Sequence, residues 1–133
     1  MVKILVIGSG AREHAIIKSL NRSKKEKEIY CLASNNNPGI SGICKEIKII
    51  DINNAQLIKD FSIKQSINIA IIGPENPLAY GVADSLWDEG IGVIGPKKNL
   101  AQIETSKSFT RNLLKEYKIP GCPKFKTFTN MEG

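Results

Sequence analysis

The sequence predicts an α/β fold, an open and mostly parallel sheet with helices on both faces. Three observations carry that expectation. Short apolar runs rich in Val and Ile alternate with longer segments whose apolar residues recur at helical spacing. Two runs, Lys3 to Ile7 and Ile67 to Ile72, are continuous enough to be strands buried on both faces, as parallel strands usually are. The first run stops at Gly8-Ser9-Gly10, directly before a helix-forming segment.

Taken in order, the first strand ends in a turn where Gly8 and Gly10 permit a tight path and leave no Cβ between backbone and ligand. The helix that follows aims its free N–H groups and positive dipole end at that turn, the arrangement of an anion site and most often of a phosphate site. The bland alternative is an empty strand-to-helix turn. Glu13 stands where a dinucleotide fingerprint needs its third glycine, and Tyr30 to Asn35 closes without the acid that would hold a ribose hydroxyl. No Gly-Lys-Ser/Thr follows, which excludes a Walker loop. Ala15, Ile16, Ile17 and Leu20 form the apolar face of the first helix, and Arg22 to Glu28 reads as its solvated end. His14, the only histidine, is either a cap-region side chain on the phosphate or a structural one.

Glu28 to Ala33 reads as the second strand, running into Ser34 to Gly42, a loop dense in turn formers. Loops at the carboxyl ends of parallel strands are where such sheets bind ligands. Asn35 to Asn37 offer amides there, and Gly39 and Gly42 allow close backbone approach; a plain connection is the alternative. Glu46 to Ile50 is a short third strand. Asp51 to Asn54 supply N-cap candidates for a helix through about Lys64, with Leu57, Ile58 and Phe61 inward. Ile67 to Ile72 belongs inside the sheet. It ends at Gly73-Pro74-Glu75-Asn76-Pro77, a second strand-to-helix turn, with Pro77 at the helix start and Leu78, Val82 and Leu86 on one face. Glu75 either bonds a ligand hydroxyl or amine or caps the helix.

Gly92 to Ile94 is the last strand, and Asn99 to Gln102 has capping-box spacing. A helix over about Ser106 to Lys118 carries Phe109, Leu113 and Tyr117 as an apolar stripe, which must pack on the domain or on a neighbour. Ile119 to Pro123 resembles a hinge, and Lys124 to Thr129 alternates like the first strand of another unit. The domain therefore spans residues 1–118, with 119–133 as hinge and start of a second.

Composition narrows the partners. A net charge of +6 favours anions, but aromatics are only 6% and the lysines are scattered, so no nucleic-acid partner is expected. Cys31, Cys44 and Cys122 share no metal or disulfide spacing, which points to a reducing cytoplasm and no metal site on this chain. With no long apolar stretch, and a first strand that begins almost at Met1, neither membrane association nor a signal peptide is expected.

Four segments, in matching order and spacing, resemble the phosphoribosylamine–glycine ligases: Val6 to Ala15, Asn37-Pro38-Gly39, Ile72 to Leu78 with Gly81 to Asp84, and Gly95-Pro96 with Ala101 to Phe109. Two positions depart from the family pattern. Ala11 replaces a third glycine, and Asn37 precedes Pro38-Gly39 where the family carries Asn after them. The resemblance implies a Rossmann-like domain of the pre-ATP-grasp type. It also implies an ATP-dependent ligase that joins glycine to 5-phosphoribosylamine in purine biosynthesis, through an acyl phosphate. ATP and Mg2+ (or Mn2+) would sit on an ATP-grasp domain of the same parent chain, with no cofactor on this one and no turnover from it alone. Gly8, Ser9, Gly10 and Arg12 would then bind the sugar phosphate, with Glu13 and His14 beside it. Asn37, Pro38, Gly39, Gly73, Pro74 and Glu75 would lie around the ribose, and no residue here would be catalytic. The rivals are a Rossmann-like module for NAD or another nucleotide, and the corresponding domain of another ATP-grasp enzyme, such as an aminoimidazole ribonucleotide carboxylase or a biotin carboxylase.

Overall fold

The computed structural model describes residues 1–128. Five parallel strands lie in the order β3-β2-β1-β4-β5: β1 Val2–Ile7, β2 Lys27–Ala33, β3 Glu46–Ile49, β4 Ile69–Ile72 and β5 Gly92–Ile94. β1 takes the middle place and β4 lies inside the sheet beside it. Alternation along β1 serves two cores. Val6 faces a cluster with Ile17 of α1 (Ala11–Asn21) and Ile40 of α2 (Pro38–Ser41). Leu5 and Ile7 face a larger cluster with Ile58 and Phe61 of α3 (Ala55–Gln65) and Leu86 of α5 (Val82–Asp88). The expected doubly covered sheet is therefore formed.

The chain leaves β1 toward β2 and β3, then returns to β4 on the other side of β1. That reversal opens a crevice at the carboxyl ends of the strands, the usual ligand position of such sheets.

Local chemistry places several elements differently from the sequence reading. The Ser34 to Gly42 loop contains a helical turn, α2, because Asn37 Oδ1 accepts the Gly39 N–H at 3.0 Å and Pro38 opens the turn. The single helix expected after β4 is two, α4 (Glu75–Ala79) and α5, parted by Gly81 at φ +78. Pro77 is the third residue of α4 and not its first. Leu57 is 47% exposed, and its inward place is taken by Ser62, whose hydroxyl donates to Ile58 O at 2.7 Å.

The Asn99 capping box is not formed. Helix α6 (Lys98–Thr105) starts earlier, and Asp84 Oδ2 of α5 accepts the Lys98 N–H at 2.8 Å. Helix α7 (Lys107–Glu116) starts behind Ser106, whose hydroxyl accepts the Phe109 N–H at 3.3 Å, and none of its residues is buried. Residues 124–128 form no strand, and Thr129 to Gly133 lie outside the described residues.

Candidate functional site

The ends of β1 to β4 contribute to the crevice, whose volume is about 510 Å³. Gly8, Ser9 and Gly10 come from β1, Ser34 and Asn35 from β2, Ile52 and Asn53 from the β3–α3 connection, and Pro74, Asn76 and Pro77 from β4; Arg12 and Glu13 of α1 complete it. Two larger hollows, of about 790 Å³ beside α7 and 640 Å³ beside α6, lie away from the strand ends. Neither holds a buried side-chain oxygen or nitrogen without a partner, whereas the crevice holds two. The polar accounting therefore marks the smaller crevice as the site.

The turn is built tightly. Gly8 has φ +115, and a Cβ there would lie 2.9 Å from both Glu13 Cγ and Pro74 Cδ, so only glycine fits. Gly8 N–H donates to Leu32 O at 2.8 Å, and Cys31 Sγ donates to Gly8 O at 3.4 Å. Hydrogen bonding with Cys44 and burial push the Cys31 thiol far above its usual range, so it stays protonated as a donor. Asn37 Nδ2 donates to Ser9 O at 2.9 Å, tying α2 to the turn.

Glu13 is the keystone of this arrangement. The residue is 3% exposed, and its Oε2 accepts the Gly10 N–H at 2.6 Å, closing the start of α1 on itself. Gly10 therefore cannot offer that amide to a ligand. The N–H groups of Ala11, Arg12 and Glu13 remain without an acceptor among the described residues, and they form the positive end of α1. Glu13 Oε1 lies above Gly73, where a Cβ would collide with it, and makes no hydrogen bond. Leaving a buried acceptor unpaired costs about 1–3 kcal/mol.

Arg12 stands between two carboxylates, with Nε 3.9 Å from Glu13 Oε1 and Nη2 3.8 Å from Glu75 Oε2. Both separations exceed hydrogen-bond length, so its planar fork keeps its donors for a ligand. Glu75 opens α4 at the rim, without a side-chain capping bond there.

The predicted residues thus divide. Gly8, Ser9, Gly10, Arg12, Glu13 and Pro74 line the crevice and Glu75 reaches its rim through Arg12. Gly73 lies under Glu13. Asn37, Pro38, Gly39 and His14 stand outside the lining; Asn37 holds the turn through Ser9 O, and Gly39 lies directly against the His14 ring. Sequence reasoning offered Asn53 only as a cap and passed over Asn76. The one available signal was that two asparagines adjoin at Asn53-Asn54 where α3 needs a single cap. No group of three or more His, Cys, Asp or Glu residues suited to a metal ion occurs among the described residues.

Comparison with known proteins follows the same lines. Residues 2–104 match the family model for the N domain of phosphoribosylglycinamide synthetase. A phosphoribosylamine–glycine ligase of Methanosarcina barkeri is 43% identical over 128 residues, covering 96% of this chain and 30% of that protein. The chain thus spans about a third of the length of the relatives it matches. Among solved structures, N5-carboxyaminoimidazole ribonucleotide synthetase from Thermotoga maritima superposes with a TM-score of 0.70 at 20% identity, over 99% of this chain and 35% of that one. Phosphoribosylglycinamide synthetase from Anaerococcus prevotii does so at 0.63 and 16%, over 88% and 29%. Both likenesses establish the fold.

Proposed function

The chain belongs to the phosphoribosylglycinamide synthetase N-domain family, and on that premise we propose that it is the N-terminal part of a phosphoribosylamine–glycine ligase whose crevice holds 5-phosphoribosylamine. The observation that carries this reading is the start of α1. Three backbone N–H groups without an acceptor and one guanidinium with free donors converge on a glycine turn at the point where the strand order reverses. The same crevice offers acceptors as well as donors. The carboxylates of Glu13 and Glu75 flank Arg12, and the side-chain amides of Asn35, Asn53 and Asn76 belong to residues that line the rest of the crevice. A molecule with a phosphate at one end and an amine and hydroxyls at the other suits that layout; NAD, with two linked nucleotides, does not.

In this reading the chain binds and orients and does not itself activate glycine. An ATP-grasp domain of the parent chain, reached through the hinge at Ile119 to Pro123, would hold ATP with Mg2+ or Mn2+ and supply the activation of that carboxylate. Here the α1 amides and Arg12 hold the phosphate, and the polar side chains along the rest of the crevice orient the sugar and its amine for attack on the acyl group. The protein works in the cytoplasm.

Titration of the chain with ribose 5-phosphate, followed by backbone amide chemical shifts, tests the reading. Ala11, Arg12 and Glu13 should move most, NAD should leave them in place, and Arg12→Ala should weaken binding about 10- to 100-fold, as loss of a charge-assisted bidentate contact does. In the parent ligase the same change should raise the KM for phosphoribosylamine and leave those for ATP and glycine alone. An equal loss for all three substrates refutes the assignment.

A further inference from the structure

We propose that Asn53 is a ligand-recognition residue: its buried side-chain oxygen accepts from the O–H or N–H donors at the sugar end of the bound molecule. The inference rests on the sugar-phosphate reading of the crevice. Asn53 Oδ1 and Glu13 Oε1 are the two side-chain atoms among the described residues that are buried without a hydrogen-bond partner, and both residues line this one crevice. Buried polar atoms are nearly always paired, so two orphans on residues that line one crevice point to a partner that arrives with the ligand.

Asn53 has no structural task that would explain its side chain. The cap of α3 is Asn54, whose Oδ1 accepts the Leu57 N–H at 3.1 Å. The backbone N–H of Asn53 is already held by Asp51 Oδ1 at 3.0 Å. Glu13, in contrast, has divided its carboxylate, one oxygen closing the turn and the other left free. Both free oxygens are acceptors, so they select donors and reject the phosphate. Asn53, on the β3–α3 connection, fixes which way round the ligand lies, with phosphate toward α1 and hydroxyls or amine toward that connection.

The test compares ribose 5-phosphate with inorganic phosphate on the wild-type chain, Asn53→Leu and Arg12→Ala, reading the Ala11 to Glu13 amide shifts alongside thermal melting. Asn53→Leu should weaken ribose 5-phosphate at least tenfold and leave inorganic phosphate within about twofold, and it should melt at or above the wild-type temperature because an unpaired buried polar atom has gone. Arg12→Ala should weaken both ligands. If Asn53→Leu binds ribose 5-phosphate as the wild type does, or loses both ligands equally while melting lower, the inference falls and the sugar-phosphate reading stands. If the wild type takes neither ligand at these amides, both fall together.

Discussion

At the residue scale the site turns on Glu13, a carboxylate that is buried, half paired and placed over a glycine. A Cβ on Gly73 would meet Glu13 Oε1, Cδ and Cγ together, and no rotation of a buried side chain relieves three contacts at once. Gly73→Ala should therefore lower stability by about 1–3 kcal/mol, by overpacking and by displacing Glu13 from the Gly10 N–H. Glu13→Ala should cost a similar amount through the lost cap, about 0.5–2 kcal/mol, and a cavity. With the carboxylate already gone, alanine at residue 73 has room, so the double variant should be more stable than the sum of the single losses predicts. A urea-denaturation cycle measures that coupling, and strict additivity would show that Gly73 is not reserved for Glu13. The glycines were legible in the sequence as close-approach positions, but the partner was not. Spacing marks where a Cβ is unwelcome and is silent on whether a ligand or another side chain fills the space. Gly39 is the same case, reserved for the His14 ring.

At the element scale, strand and helix types were readable because apolar periodicity is local, whereas helix starts depended on contacts distant in sequence. Asn99 to Gln102 has the right residues for a cap, yet α6 begins earlier because Asp84 of α5 reaches the Lys98 N–H. Asp84→Ala should destabilise the chain by about 0.5–2 kcal/mol, the usual cost of a lost N-cap contact. Asn99→Ala should change stability by no more than about 0.5 kcal/mol, as surface substitutions commonly do. Equilibrium urea unfolding of the two variants separates the possibilities; a larger effect at Asn99 would restore the capping box. The break at Gly81 has a related cause. Its positive φ turns the chain between α4 and α5, while Leu78 and Val82 still reach the same core.

Across the whole molecule, stability should follow the sheet order outward. β1 is hydrogen-bonded on both sides, and Leu5, Val6 and Ile7 are fully buried, so its amides can exchange only when the domain opens. Helix α7 is the opposite extreme: it has no buried residue, and the stripe the sequence predicts from Phe109, Leu113 and Tyr117 leaves Tyr117 66% exposed. Amphipathic spacing foretold that helix correctly but not what covers it, since periodicity names a face and never its partner. Helices get most of their stability from tertiary packing of such a face. In native-state hydrogen exchange on this chain, α7 amides should therefore exchange through local opening, orders of magnitude faster than those of β1. Their exchange should also depend little on denaturant, because so little surface is uncovered. β1 amides should instead show the full denaturant dependence of global unfolding. If α7 were as protected as β1, with the same denaturant slope, the two would belong to one cooperative unit, and the ordering from central strand to exposed helix would be wrong.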